Sequence, residues 1–297
     1  MIRILGTIFA GLLGLAFGSF LNVCLSRWPA GESVVEPRSH CRQCGRALAW
    51  WENVPLVSWL ALRGRCRSCG SWIAWRYPIV EAAVGALWAY TAWRELGPVV
   101  LDRLMFAHSI SVVIYIGIVV GAGNIILYWL LVALAVLDAE NFWLPNFITL
   151  SGIGIGFIFV VVRETLIGES GSMKYVAEHS ALGLIGSILA AAALILLIRW
   201  VYWLIRRREG IGLGDAKLMA MLAAWLGLPG ALLAFALGVV LGAVVALVLL
   251  AMPSSRLDKN AWAAKKLPLG TFLCIGGIVS GLWGERLIDI YRGWAGF

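Results

Sequence analysis

The sequence predicts an all-α polytopic membrane protein of about eight transmembrane helices, interrupted once by a small polar module after the first helix. Three observations lead there. Apolar residues make up 61% of the 297-residue chain and charged residues only 13%, about half the charged share of an ordinary soluble domain. The mean hydropathy is +0.89, and the apolar residues gather in runs close to the roughly 20 needed to cross a bilayer. The formal net charge of +8 is uneven, with arginines crowded from Arg38 to Arg76 and at Arg206–Arg208, and lysines at Lys259, Lys265 and Lys266. Basic loops can serve nucleic acid, but the positive-inside bias of membrane proteins accounts for these, and no nucleic-acid partner is expected.

The first span is Ile4 to Leu25. No small-x-small cleavage site follows it, so it reads as a retained helix and not a signal peptide. Gly14, Gly18, Ser19 and Asn22 recur at helical spacing, the pattern of a packed helix face with Asn22 as a buried hydrogen bonder. The second span opens at Tyr77-Pro78-Ile79-Val80-Glu81 and runs to about Leu96, with proline suited to a first helical turn. Glu81 lies one turn inside, either at the interface or facing a polar cavity. Phe106 to Leu137 is too short for two crossings, which need about 40 residues. One crossing is expected, as an overlong helix or as a helix preceded by an interfacial segment that breaks at Gly121–Asn124. The fourth span covers about Phe147 to Ile167, and Glu164 to Glu178 reads as a polar loop. The fifth, about Ala181 to Ile205, ends in Arg206–Arg208, an inside signal. The sixth, Ala216 to Leu228, is ended by Pro229-Gly230. The seventh is about Ala231 to Met252, and the eighth about Leu269 to Ile290.

Residues 27–77 form the polar module, set between the first helix (1–26) and the membrane core (78–297). Cys41-x-x-Cys44 and Cys66-x-x-Cys69 are separated by 21 residues, 45 to 65. Two such knuckles bring four thiolates within reach of one tetrahedral ion at about 2.3 Å per Zn–S bond. Two disulfides are the alternative, but eight arginines in this stretch (27, 38, 42, 46, 63, 65, 67 and 76) favour the reducing cytoplasm. The module is therefore expected to bind structural Zn²⁺ through Cys41, Cys44, Cys66 and Cys69. His40 reads as a bystander, and Cys24 and Cys274 as small buried hydrophobes.

Two carboxylates stand out from the apolar background. Asp215 follows Gly210-Ile211-Gly212-Leu213-Gly214 and opens a span, and Asp138 closes the run Ala133–Leu137. A charge at the bilayer centre costs about 3 kcal/mol on insertion scales, so such residues usually carry function. Gly212 and Gly214 let backbone or substrate come close to Asp215. Counting spans puts both aspartates at one edge of the membrane. Two carboxylates sharing a site share a proton, and the pair can then act as base and acid together. Lys217 either favours ionisation nearby or is an exposed lysine at a helix start.

The chain resembles the type IV prepilin peptidases, bifunctional leader peptidase/N-methyltransferases among the GxGD intramembrane aspartyl proteases. The resemblance rests on Gly18-Ser19-Phe20-Leu21-Asn22-Val23, Arg27-Trp28-Pro29, the paired CxxC module and Trp51-Glu52-Asn53-Val54-Pro55. It continues through Arg76–Glu81, Asp138 ahead of Leu144-Pro145-Asn146, and Gly212-Leu213-Gly214-Asp215-Ala216-Lys217. It implies Asp138 and Asp215 as the catalytic pair, supported by Gly212, Gly214, Lys217 and Pro268. It also implies cleavage of type IV prepilins or pseudopilins after a glycine, then N-methylation of the new terminus with S-adenosylmethionine. Glu81 and Asn22 are the polar candidates for the methylation or substrate site, since no glycine-rich donor fingerprint is present. The implied place is the bacterial inner membrane, with the cysteine module and active site at the cytoplasmic face; the arginine asymmetry and the count of eight spans put both termini and the Glu164–Glu178 loop in the periplasm. The chain departs from the family pattern in three places. No proline follows Cys41, Pro268-Leu269-Gly270-Thr271 stands where the family tends to have Pro-Phe-Gly-Pro, and the stretch before Asp138 is longer.

Two other function classes compete. A proton-coupled transporter also uses paired intramembrane aspartates, but the internal repeats and matched broken helices of such transporters are not seen here. A membrane-anchored zinc-ribbon adaptor leaves eight spans and the glycine-framed aspartate unexplained.

Overall fold

A computed structural model describes residues 2–97, 110–167, 173–208, 212–251 and 267–296. Among these residues there is no β-strand, only two isolated bridges in the cysteine module. Eight helices are numbered in chain order: α1 (Ile2–Arg27), the short α2 (Val57–Ala61), α3 (Arg76–Glu95), α4 (Ile110–Asn141), α5 (Asn146–Ile167), α6 (Met173–Arg206), α7 (Leu213–Ala251) and α8 (Leu269–Ala295). Six of them, α1 and α4 to α8, are long and apolar enough to cross a membrane. The predicted second span forms as α3, whose Arg76, Glu81, Arg94 and Glu95 dilute its apolar character. The predicted sixth and seventh spans are the two arms of α7. They meet at Gly227 (φ 67°, ψ 176°), with Pro229 just beyond. That backbone region is essentially closed to residues with a Cβ, and proline adds a second break by withholding an N–H.

Helix α4 is continuous through Gly121–Asn124, so no break occurs there. The predicted loop from Glu164 to Glu178 is shorter than expected, because α5 extends to Ile167 and α6 begins at Met173. Lys259, Lys265 and Lys266 lie outside the described residues, as do Gly210 and Ile211.

The chain divides into two compact units, residues 1–133 and 134–297. In the first, α1 packs on α3 through small residues. A Cβ on Gly14 would come within 2.9 Å of the Val84 carbonyl, and one on Gly18 within 2.8 Å of Glu81 Cα. Such contact lets backbones approach where lipid supplies no hydrophobic driving force between helices. The Asn22 amide donates to the Tyr77 carbonyl at 3.0 Å, the buried hydrogen bond expected of it. At the far end Arg3 lies over the Trp93 ring, 3.6 Å from its centroid.

In the second unit, α7 is the central helix. Its first arm buries Leu218, Met219, Met221, Leu222 and Trp225. Gly152 and Gly156 of α5 leave room for Met221 and Trp225, and the Trp225 indole donates to the Gly152 carbonyl at 2.8 Å. The second arm packs on α8 most closely at Gly276, where a Cβ would sit 2.2 Å from the Ala234 carbonyl. Ser280 of α8 donates to the Gly230 carbonyl at 2.8 Å, tying α8 to α7 near its kink.

Candidate active site and metal centre

Each aspartate sits where a helix begins or ends. Asp138 lies in the last turn of α4. Phe142 then takes a left-handed backbone conformation (φ 51°), and its N–H returns to the Asp138 carbonyl at 2.9 Å, which closes the helix. Leu144-Pro145-Asn146 turns the chain into α5, where Pro145 accepts from the N–H groups of Ile148 and Thr149. Asp215 lies in the first turn of α7, where the helix dipole favours a negative charge.

Both carboxyl groups are buried, with only 6% of Asp138 and 8% of Asp215 exposed. Asp138 Oδ2 accepts from the Thr271 N–H at 2.7 Å and lies 3.2 Å from the Thr271 hydroxyl. Asp215 Oδ2 accepts from the Gly212 N–H at 3.2 Å. The side chain of Leu144 bridges the two neighbourhoods. A Cβ on Gly214 would lie 3.1 Å from Leu144 Cβ, and one on Gly270 3.0 Å from Leu144 Cδ1 and 2.9 Å from Asp138 Oδ2. The charge of Asp138 acts on Asp215, and both act on the fully buried thiol of Cys274. The structure thus gathers Asp138, Asp215, Gly212, Gly214 and the Pro268–Thr271 turn. Pro268 is the residue that caps α8, setting Gly270 and Thr271 in its first turn.

Lys217 does not face the aspartates. Its ammonium donates to the Asn146 side chain at 2.7 Å, so it ties α7 to α5 and fits the exposed-lysine alternative. Sequence reasoning missed Thr271 as a partner of Asp138. The signal was present, since a residue with both an N–H and a hydroxyl replaces proline in the Pro268–Thr271 run.

The four cysteines of the module converge, with Sγ atoms all within 4.8 Å of one another. The two knuckles are built alike. Cys41 N–H donates to Arg46 and Cys66 N–H to Ser71, while Gly45 and Gly70 donate back to Cys41 and Cys66. Gly45 and Gly70 both have positive φ, 71° and 69°, so each knuckle reads Cys-x-x-Cys-Gly with glycine at its turn. The Cys44 N–H pulls the Cys41 thiol down to about 6. The Ser71 hydroxyl, 3.1 Å from Cys69 Sγ, lowers Cys69. Cys44, although the Arg46 N–H lowers it, is pushed up to about 11 by lost hydration and by the other three sulfurs. The His40 ring pairs with the Arg38 carbonyl and stands outside the thiol cluster.

Glu52, on a 3-10 turn over Trp50–Asn53, braces the module. It accepts from the Ala49 N–H at 2.8 Å and pairs with Arg46. Glu81 is buried and accepts from the N–H of Leu56 at 2.8 Å. Leu56 itself is held at positive φ (59°), an unfavourable place for a residue with a Cβ. Asn22 adjoins Glu81, and its Oδ1 is buried without a hydrogen-bond partner.

The chain is similar to known proteins over nearly its whole length. Residues 12–95 match the bacterial peptidase A24 N-terminal domain, and residues 125–247 the type IV leader peptidase family. A prepilin leader peptidase/N-methyltransferase of Stutzerimonas stutzeri is 32% identical, over 94% of this chain and 91% of its own. One of Pseudomonas aeruginosa is 31% identical over 96% and 93%, and one of Xanthomonas campestris 32% over 98% and 96%. No solved structure matches the chain. With identity above 30% over nearly its whole length, and both domains found in order, the chain belongs to the type IV leader peptidase family.

Proposed function

We propose that this protein is a membrane-embedded aspartyl endopeptidase that removes the leader of type IV prepilins or pseudopilins after a glycine, and that Asp138 and Asp215 are its catalytic pair. The observation that carries the reading is the pair itself: two buried carboxyls in one unit, each at a helix end, with the charge of Asp138 acting on Asp215 and, among the described residues, no ion pair to either. In the proposed reaction one carboxylate takes a proton from water as the water oxygen bonds to the scissile carbonyl carbon. The other, protonated, gives its proton to the carbonyl oxygen. When the C–N bond breaks, the departing amine takes the first proton and a hydroxyl of the intermediate returns the second, restoring both groups. Gly212 leaves backbone open beside Asp215 for an extended substrate, while Leu144 packs against Gly214.

The names of the relatives support a second step, N-methylation of the new amino terminus with S-adenosylmethionine as methyl donor. Glu81 and Asn22 are the residues proposed for it. A buried carboxylate beside an amide oxygen that lacks a donor suits a ligand bringing an ammonium or N–H group. Zn²⁺ is the proposed occupant of the cysteine cluster. Tetrahedral Zn–S bonds of about 2.3 Å set sulfurs roughly 3.8 Å apart, and Cys41 and Cys69 sulfurs are 3.8 Å apart. The ion would let all four thiols ionise and hold two knuckles that have little core of their own. Residues 27–77 then form a cytoplasmic module between the first helix and a core of 78–297 in the bacterial inner membrane, with membrane lipid as its solvent.

The test is the purified full chain in lipid with a synthetic prepilin, followed by labelled S-adenosylmethionine. Cleavage after the leader glycine and transfer of one methyl group support both steps. Cleavage without transfer restricts the protein to peptidase action, and proton-coupled flux without cleavage would support a transporter instead.

A further inference from the structure

The two carboxyls of the proposed pair are not equivalently held. Asp138 Oδ2 receives the Thr271 N–H at 2.7 Å, a length typical of bonds to a charged acceptor. The Thr271 hydroxyl lies 3.2 Å from the same oxygen and 3.0 Å from the Ala135 carbonyl, one turn back along α4. Among the described residues Asp215 has one donor, the Gly212 N–H at 3.2 Å. We infer that Thr271 positions Asp138 as the ionised partner that takes the proton from water, leaving Asp215 as the protonated partner that donates to the carbonyl.

The hydroxyl does more than add one bond. It carries a single proton and faces two acceptors. While Asp138 is ionised, the charged oxygen is the stronger acceptor and the hydroxyl donates to it. Once Asp138 has taken a proton from water, the hydroxyl turns to the Ala135 carbonyl and its oxygen accepts from the new Oδ2–H. Both protonation states therefore keep their hydrogen bonds without movement of the backbone. That is the preorganisation a proton-accepting group needs. The device belongs to this chain, since a proline in the fourth place of the Pro268–Thr271 run would offer neither donor.

Among the described residues the Gly270 N–H also bears on Asp138. The titratable groups in its field are Asp215 on α7 and Cys274 on α8. Leu144, which touches its surroundings ahead of α5, is neutral, and the one lysine of the first turn of α7 is engaged by Asn146. Glu140 lies two residues on along α4.

The inference rests on the peptidase reading, and its test keeps the two apart. The full chain in lipid is assayed on a synthetic prepilin as the unaltered protein, as Thr271→Val and as Thr271→Ser. Valine keeps the shape and the backbone N–H but loses the hydroxyl. Its kcat is expected to fall about tenfold, the factor of one net hydrogen bond, with KM within about twofold. The acid limb of its pH–rate profile is expected to move toward neutral pH, because a carboxylate with one donor fewer is protonated more easily. Serine restores the hydroxyl and is expected to recover kcat and the profile, even if loss of the methyl lowers the melting temperature. An unchanged kcat and profile in Thr271→Val would overturn the inference, as would equal impairment of Val and Ser. Failure of the unaltered protein to cleave would overturn the peptidase reading first, and this inference with it.

Discussion

Gly270 approaches Asp138 so closely that a Cβ built on it would lie 2.9 Å from Asp138 Oδ2 and 3.0 Å from its Cγ. A larger residue beside the carboxylate would therefore have to displace the side chain of Asp138 or Leu144. Gly270→Ala is expected to push the Asp138 side chain out of line and lower kcat by about 10², the scale of an ångström-sized misplacement, with little loss of folded protein. Gly276→Ala makes the contrast. Its Cβ would meet the Ala234 carbonyl at 2.2 Å, backbone that cannot step aside, so the α7–α8 contact opens at a cost of about 1–3 kcal/mol. Thermal unfolding and kcat measured on both variants check this. A large thermal loss in Gly270→Ala without a catalytic defect would contradict it.

The cysteine cluster yields a metal prediction. The purified protein is expected to carry one Zn²⁺, and Cys41→Ser or Cys66→Ser to lose it and to expose residues 27–77 to protease. Element analysis and limited proteolysis read both effects. Metal retained after all four cysteines are replaced would place the ion elsewhere.

Acid should loosen the same module through Glu52. The Ala49 N–H, with the Arg46 guanidinium behind it, holds the Glu52 carboxyl below its ordinary range. Since the folded value is the lower one, the stabilisation is full above the unfolded value of about 4.3 and is lost as pH falls through the folded value. Glu52→Gln is expected to show, already at neutral pH, the protease sensitivity that the unaltered module gains only in acid. Identical digestion of the two proteins at neutral pH would argue that Glu52 braces nothing.

Much of this was legible in the sequence because membrane helices follow apolar runs and CxxC spacing follows ion geometry. The span from Asn146 and the two arms meeting at Gly227 follow directly from Leu144-Pro145 and from Pro229-Gly230. The two aspartates proposed as the pair stood out because carboxylates in apolar sequence are conspicuous. Thr271 and Leu144 were missed: the departure at Thr271 marked the residue but not its partner, and the contacts of Thr271 with Asp138 and of Leu144 with Gly214 and Gly270 are made between segments distant in the chain. Lys217 illustrates the same limit. Its place one turn into α7 suggested an electrostatic partner for Asp215, but the side chain reaches Asn146 instead. The start of α6 at Met173 was missed because Glu178 and Lys174 read as loop, although polar residues continue a helix freely once it leaves the membrane.

The pH dependence of cleavage follows from the pairing. Two carboxyls that share a proton titrate as a unit, so the rate profile is expected to be bell-shaped, with limbs that belong to the pair and to neither residue alone. A profile with a single limb would indicate that only one carboxyl takes part.

The most direct test of the central claim is cleavage of a synthetic prepilin by Asp138→Asn, Asp215→Asn and the double variant. Asparagine keeps the shape and removes the shared proton. Each single variant is expected to fall to background while keeping its fold and zinc, and the double variant to be scarcely worse, because groups acting as a unit are not additive. Substantial cleavage by Asp138→Asn, with the loss confined to Asp215→Asn, would contradict the pairing.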